Sequence, residues 1–124
     1  MKAVKRKLIA QIASNVQCPP ENVYLFYKGR VALYYLLKAA GVGQDDEVIL
    51  QGFSCVAVSN AIFQTGAKPI YVDISPATLN MTVDLVKDKI SKKTKVIIIQ
   101  NTFGISSEVL EFKNICEANN IILI

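Results

Sequence analysis

The sequence predicts an α/β fold of three layers, a mostly parallel sheet with helices on both faces. Three observations predict it. Apolar, strand-like runs recur at residues 23–27, 47–51, 69–73, 95–100 and 121–124. The stretches between them read as helices, and strand–helix alternation is the pattern of a parallel sheet. The run Val96-Ile97-Ile98-Ile99 has no polar interruption, as expected of a central parallel strand buried on both faces.

Each element has its own signal. Residues 4–14 place Leu8, Ile9, Ile12 and Ala13 on one face of a short amphipathic helix. Cys18-Pro19-Pro20 breaks it, and residues 23–27 form the first expected strand. Residues 30–40 are apolar nearly all round, which predicts a helix buried on several sides. Gly41 and Gly43 end that helix. Gln44-Asp45-Asp46 turns the chain into the second strand, 47–51. Residues 56–65 form a largely apolar helix closed by Gly66, and 69–73 the third strand. In the helix at 82–90, Thr82 is the N-cap candidate and Asp84 suits the first turn. After the fourth strand, Val109, Phe112 and Cys116 line one stripe of a helix at 107–119. Asn119-Asn120 ends it, and residues 121–124 begin a fifth strand.

A chain of 124 residues is one domain or part of one. Apolar residues make up 52% and charged residues 19%, which excludes disorder and suggests a surface covered by something outside this chain. The net charge of +4 comes largely from Lys2, Lys5, Arg6 and Lys7 and from Lys92, Lys93 and Lys95. These read as solvated patches. Nucleic-acid binding is not expected, because interleaved aromatics, helix-turn-helix patterning and zinc-finger spacing are all missing. Cys18, Cys55 and Cys116 have no metal or redox spacing, and without histidine no zinc site is expected. The odd count and the lack of a secretory signal suit a reducing cytoplasm. No apolar stretch reaches the roughly 18 residues of a membrane span.

Parallel sheets carry chemistry at the carboxyl ends of their strands. Three turns stand there. Gly29-Arg30 lies between a strand and a buried helix, where free N–H groups, the helix dipole and a guanidinium suit an anion such as phosphate. The same residues also read as an ordinary turn with a surface arginine. Gly52-Phe53-Ser54-Cys55 opens a helix: Phe53 could face a flat ligand, or Ser54 could cap the helix while Phe53 and Cys55 pack. Without histidine nothing activates Cys55 as a nucleophile. Asn101-Thr102-Phe103-Gly104 puts a donor and acceptor, Asn101, at the mouth of a central strand, or simply forms a turn. None of these is a catalytic constellation.

The ordered words carry more. Gly29-Arg30-Val31-Ala32-Leu33, Asp46-Glu47-Val48-Ile49-Leu50, Asn60-Ala61-Ile62 and the stretch from Gly66 through Ile74 resemble the DegT/StrS family of pyridoxal-phosphate-dependent sugar aminotransferases. Thr78-Leu79-Asn80, Thr94-Lys95-Val96-Ile97 and Phe103-Gly104 follow in the family's order. The resemblance runs from about Val23 to Ile124. It implies part of a fold-type-I large domain, a cytoplasmic homodimer, and amino transfer, usually from glutamate, to a nucleotide-linked keto-sugar in surface-glycan or related biosynthesis. It implies that the cofactor's phosphate-binding turn falls on Gly29, Arg30 and Val31, with the backbone N–H groups of Arg30 and Val31 holding the phosphate. It places Cys55 where the family has an aromatic against the pyridine ring, with Phe53 as a partial substitute. It places Asn101 near the phenolic oxygen.

The family's ring-nitrogen aspartate and Schiff-base lysine match no residue here, since Lys28, Lys38 and Lys68 lie at turns or on helix surfaces. Residues 1–124 are therefore expected to be a single, truncated N-terminal portion of the large domain, inactive alone. The alternatives are a free-standing α/β module for a phosphorylated ligand and a non-catalytic domain that pairs with another chain.

Overall fold

A computed structural model describes residues 2–124, with side-chain surroundings from Ala3 onward. The elements in chain order are α1 (Lys2–Asn15), a 3-10 turn (Pro20–Asn22), α2 (Gly29–Ala39), β1 (Glu47–Gln51), α3 (Val56–Phe63), β2 (Lys68–Val72), α4 (Val83–Lys87), β3 (Thr94–Ile98), a second 3-10 turn (Thr102–Gly104), α5 (Val109–Asn119) and β4 (Ile122–Leu123). The four strands form one parallel sheet in the order β2-β1-β3-β4. Ile49 of β1 stands between Ile70 and Ile97, and Ile97 faces Leu123.

Side chains alternate across a strand, so this register builds two cores. Val48, Leu50, Val96 and Ile98 point to one face and pack with Leu37 of α2 and Ile62 of α3. Ile49, Val72 and Ile97 point to the other and pack with Val86 of α4 and Phe112 and Cys116 of α5. The three-layer expectation holds: helices cover both faces. Among the described residues no helix is long and apolar enough to cross a membrane.

Several local expectations are corrected. Residues 23–27 form no strand and pair with no strand of the sheet. Their apolar side chains are used otherwise, with Phe26 stacked on Tyr35 of α2 at 5.5 Å between ring centroids. Helix α2 is not enclosed: Leu37 is buried, while Tyr35 and Leu36 are about half exposed. Val109 is exposed and leaves the stripe of α5 to Phe112 and Cys116. Thr82 is the N-cap residue of α4, but its side chain makes no capping bond. Asp84 instead pairs with Lys87 at 2.8 Å, a surface contact that holds its carboxyl below the usual range. Lys95 is only partly solvated. Its ammonium donates to the Gly41 carbonyl at 2.8 Å and lies 3.6 Å from Asp46.

Helix ends follow the expected chemistry. Gly41 takes φ +73° after α2, and the N–H groups of Gly41 and Val42 bond back to Lys38 and Leu37. Asn120 closes α5 in the same left-handed region.

Candidate functional site

Connections decide where a parallel sheet opens. The chain leaves β1 through α3 toward β2 on one side, and leaves β3 through α5 toward β4 on the other. The loops after β1 and β3 therefore part at the carboxyl edge, and a crevice forms where strand order reverses. An open crevice of about 320 Å³ lies there, lined by Phe53, Ser54 and Cys55 after β1 and by Gln100, Asn101 and Thr102 after β3. Two of the sequence-predicted residues, Cys55 and Asn101, thus share one space.

The turn at Gly29, Arg30 and Val31 does not line that crevice but belongs to the same edge. The carbonyl of Gly41, just past α2, is held by Lys95 at the start of β3. Helix α2 therefore runs back over the sheet from carboxyl edge to amino edge. Eleven helical residues and five strand residues each span about 16 Å, and Leu33, Leu37 and Ala40 pack α2 on the face of β1 and β3. Its N-terminus points to the edge where Cys55 and Asn101 stand. Val31 donates to the Lys28 carbonyl at 3.1 Å, while the N–H groups of Gly29 and Arg30 bond to no other described residue. Both residues are exposed, and a Cβ placed on Gly29 would meet nothing within 4 Å.

The crevice is fixed by hydrogen bonds that pattern reading missed. Gln51 ends β1 and is 1% exposed. Its Nε2 donates to the Phe53 carbonyl at 2.8 Å, to Thr102 Oγ1 at 3.0 Å and, more weakly, to the Leu79 carbonyl at 3.4 Å. Asn80, 2% exposed, donates through Nδ2 to the Ile105 carbonyl and accepts from the Thr102 N–H, both at 2.9 Å. Ser54 does not cap α3; its Oγ accepts from Gln100 Nε2 at 3.1 Å. Asn101 Oδ1 accepts from the Ser107 N–H at 3.0 Å, which leaves Nδ2 as a donor without a partner among the described residues. Phe103 has φ +53°, and its ring, 81% exposed, lies 6.4 Å from that of Phe53. No signal within the loops themselves would have found Gln51 or Asn80, because their partners come from other segments.

The residues fit a phosphorylated aromatic ligand in part. Two free N–H groups, a helix N-terminus and Arg30 suit a phosphate, and Phe53, Cys55 and the free Asn101 amide suit a ring bearing an oxygen acceptor. No lysine or carboxylate lines the crevice among the described residues, nor does any cluster there suit a metal ion.

Comparison with known proteins decides the family: the model of the DegT/DnrJ/EryC1/StrS aminotransferase family matches residues 22–124. The chain belongs to this family. A dTDP-4-dehydro-2,3,6-trideoxy-D-glucose 4-aminotransferase of Saccharopolyspora spinosa is 33% identical over 119 residues, 96% of this chain and 31% of that protein. A UDP-2-acetamido-2-deoxy-3-oxo-D-glucuronate aminotransferase of Pseudomonas aeruginosa is 43% identical over 76 residues, 61% of this chain and 21% of that protein. The aminotransferase TlmJ from Streptoalloteichus hindustanus superposes with a TM-score of 0.83 at 27% identity, over 95% of this chain and 32% of its own. NtdA from Bacillus subtilis, solved with bound cofactor PMP, gives a TM-score of 0.74 at 32% identity, over 77% of this chain and 22% of its own. The aminotransferase family chain described here thus spans about a third or less of the length of these relatives. The family's solved members carry pyridoxal phosphate or its amino form: NtdA holds PMP, and a relative from Streptococcus pneumoniae is known in PLP and PMP forms.

Proposed function

We propose that this chain forms the phosphate side and one ring wall of the pyridoxal-phosphate site of a nucleotide-sugar aminotransferase. The observation that carries the reading is the crevice between the loops after β1 and β3, with the α2 N-terminus at the same edge. The cofactor, when bound, supplies the electron sink for moving an amino group from a donor such as glutamate to a nucleotide-linked keto-sugar. The chain's own residues hold it. The Gly29 and Arg30 N–H groups and the Arg30 guanidinium bind the phosphate dianion. Cys55 gives the ring a small apolar contact, with Phe53 beside it. Asn101 is oriented by the Ser107 N–H on its carbonyl oxygen and keeps Nδ2 as a donor, which suits the ring's phenolic oxygen.

Among the described residues no lysine or carboxylate lines the crevice to take the ring-nitrogen and Schiff-base roles, so in this reading the chain by itself binds but does not transaminate. A cytoplasmic setting fits the three free thiols. The partner we propose is a second copy of this chain, supported by the uncovered apolar face of α2.

Pyridoxamine phosphate is the probe, since it lacks the aldehyde that would label surface lysines at random. The chain should bind it, and the phosphate-free amine should bind far more weakly. Arg30→Ala should weaken binding about tenfold, the usual loss for one charge-assisted hydrogen bond. Equal binding of both amines would overturn the phosphate assignment. Inorganic phosphate competing as well as the full cofactor would favour the free-standing phosphate-ligand module.

A further inference from the structure

We propose that Gln51 and Asn80 are positioning residues that hold the 101–104 turn in the shape that makes the crevice. The inference rests on the cofactor reading above and extends it to two buried amides that touch no proposed ligand.

The observation is a buried junction of three segments. Gln51 reaches the loop after β1 through the Phe53 carbonyl and the turn after β3 through Thr102 Oγ1. Its Oε1 accepts from the Met81 N–H at 3.4 Å. Asn80 sits beside Met81 and grips both sides of the turn, through the Thr102 N–H and the Ile105 carbonyl. Both amides therefore spend donor and acceptor on loop groups, and no buried side-chain polar atom among the described residues lacks a partner.

Besides these bonds the turn is held locally, by the Gly104 N–H on the Asn101 carbonyl, the Ile105 N–H on the Thr102 carbonyl and the Ser107 N–H on Asn101 Oδ1. Thr102–Gly104 is a single 3-10 turn, and Phe103 and Gly104 both take positive φ. Phe103 is exposed, so packing does not impose that backbone. The local bonds and the amide bonds at Thr102 do. Asn101 precedes this anchor and lines the crevice with Thr102. Loss of either amide should release the Asn101 wall while the sheet, built on separate apolar cores, stays formed.

The test uses Gln51→Met, which keeps an unbranched side chain of similar length, and Thr102→Val, which keeps the β-branched shape and removes the hydroxyl. Amide hydrogen exchange by NMR is read at Thr102 and Gly104, with Leu50 and Ile97 as reporters of the sheet. Pyridoxamine phosphate affinity is measured on the same samples. We expect turn exchange at least about tenfold faster in Gln51→Met, sheet exchange unchanged, and affinity about tenfold weaker. Thr102→Val should move the same readouts less, and it carries the test if Gln51→Met fails to fold. Unchanged turn exchange in a folded variant overturns the proposal. So does exchange that rises equally at turn and sheet, or a loosened turn with wild-type affinity. If the wild-type chain binds no pyridoxamine phosphate, the cofactor reading fails, while the exchange data still decide whether these amides hold the turn.

Discussion

Gly29 is the residue at which phosphate binding and packing make opposite claims. It opens α2, its φ is not in the left-handed region, and a Cβ there meets nothing within 4 Å. Neither backbone nor neighbours require glycine, so ligand approach is the remaining physical reason for it. Gly29→Ala should leave the melting temperature unchanged or slightly higher and weaken pyridoxamine phosphate binding about tenfold, by obstruction of the free N–H groups. A melt beside a titration decides, and unaltered affinity would move the phosphate away from the α2 terminus. The cysteines give a second prediction at this scale. Cys116 is buried in the α5 core, and burial pushes its thiol from 9.0 up to about 11. Cys55 is exposed. Brief alkylation of the folded chain near pH 8 should mark Cys55 and spare Cys116 by mass spectrometry, and denaturant should equalise them. The raised folded pKa means that Cys116 contributes stability below pH 9, which is lost as pH rises from 9.0 through about 11. Cys55 and Asn101 were legible as strand-mouth residues because turn chemistry is local, whereas Gly29 and Arg30 were read at the end of a strand that does not form. Gln51 and Asn80 were not, since Gln51 works through a partner 51 positions away.

Elements were legible where the period was clear and a partner stood ready. The runs at β1, β2 and β3 joined the sheet with ends shifted by at most two residues. Residues 23–27 have the composition of a strand yet stay unpaired, because composition states only that a segment can be extended, whereas sheet entry requires a free edge in register. The all-apolar pattern of 30–40 predicted a helix correctly but overstated its burial, since pattern cannot tell a buried face from one awaiting cover. Glycine positions separate more cleanly. Gly66 after α3 has φ +90°, and a Cβ there would stand 3.4 Å from the Gln44 nitrogen. Gly43 has no such φ, and a Cβ there meets nothing. Gly66→Ala should therefore cost about 1–2 kcal/mol in denaturant unfolding, and Gly43→Ala close to nothing. Equal losses would mean that the αL turn does not close α3 in solution.

At the scale of the molecule both cores are closed, while the outer face of α2 stays open. The α4–α5 side buries Phe112, Val86 and Met81 completely or nearly so. On the α2 side, Tyr24 is 76% and Tyr35 54% exposed, with Phe26 and Leu36 beside them around an apolar hollow. These side chains form one apolar surface, and exposed apolar patches mark interaction sites or aggregation. A second copy would remove it from water and would bring two α2 helices into one assembly. A carboxylate at the centre of such a contact is costly to bury unpaired, while on a free surface it costs little. Leu36→Glu should therefore shift sedimentation from dimer to monomer and leave the far-ultraviolet circular dichroism unchanged. A wild-type chain that already sediments as a monomer at high micromolar concentration would remove the second copy as occupant of this face. Its pyridoxamine phosphate affinity would then show whether the phosphate side of the site is complete within one chain.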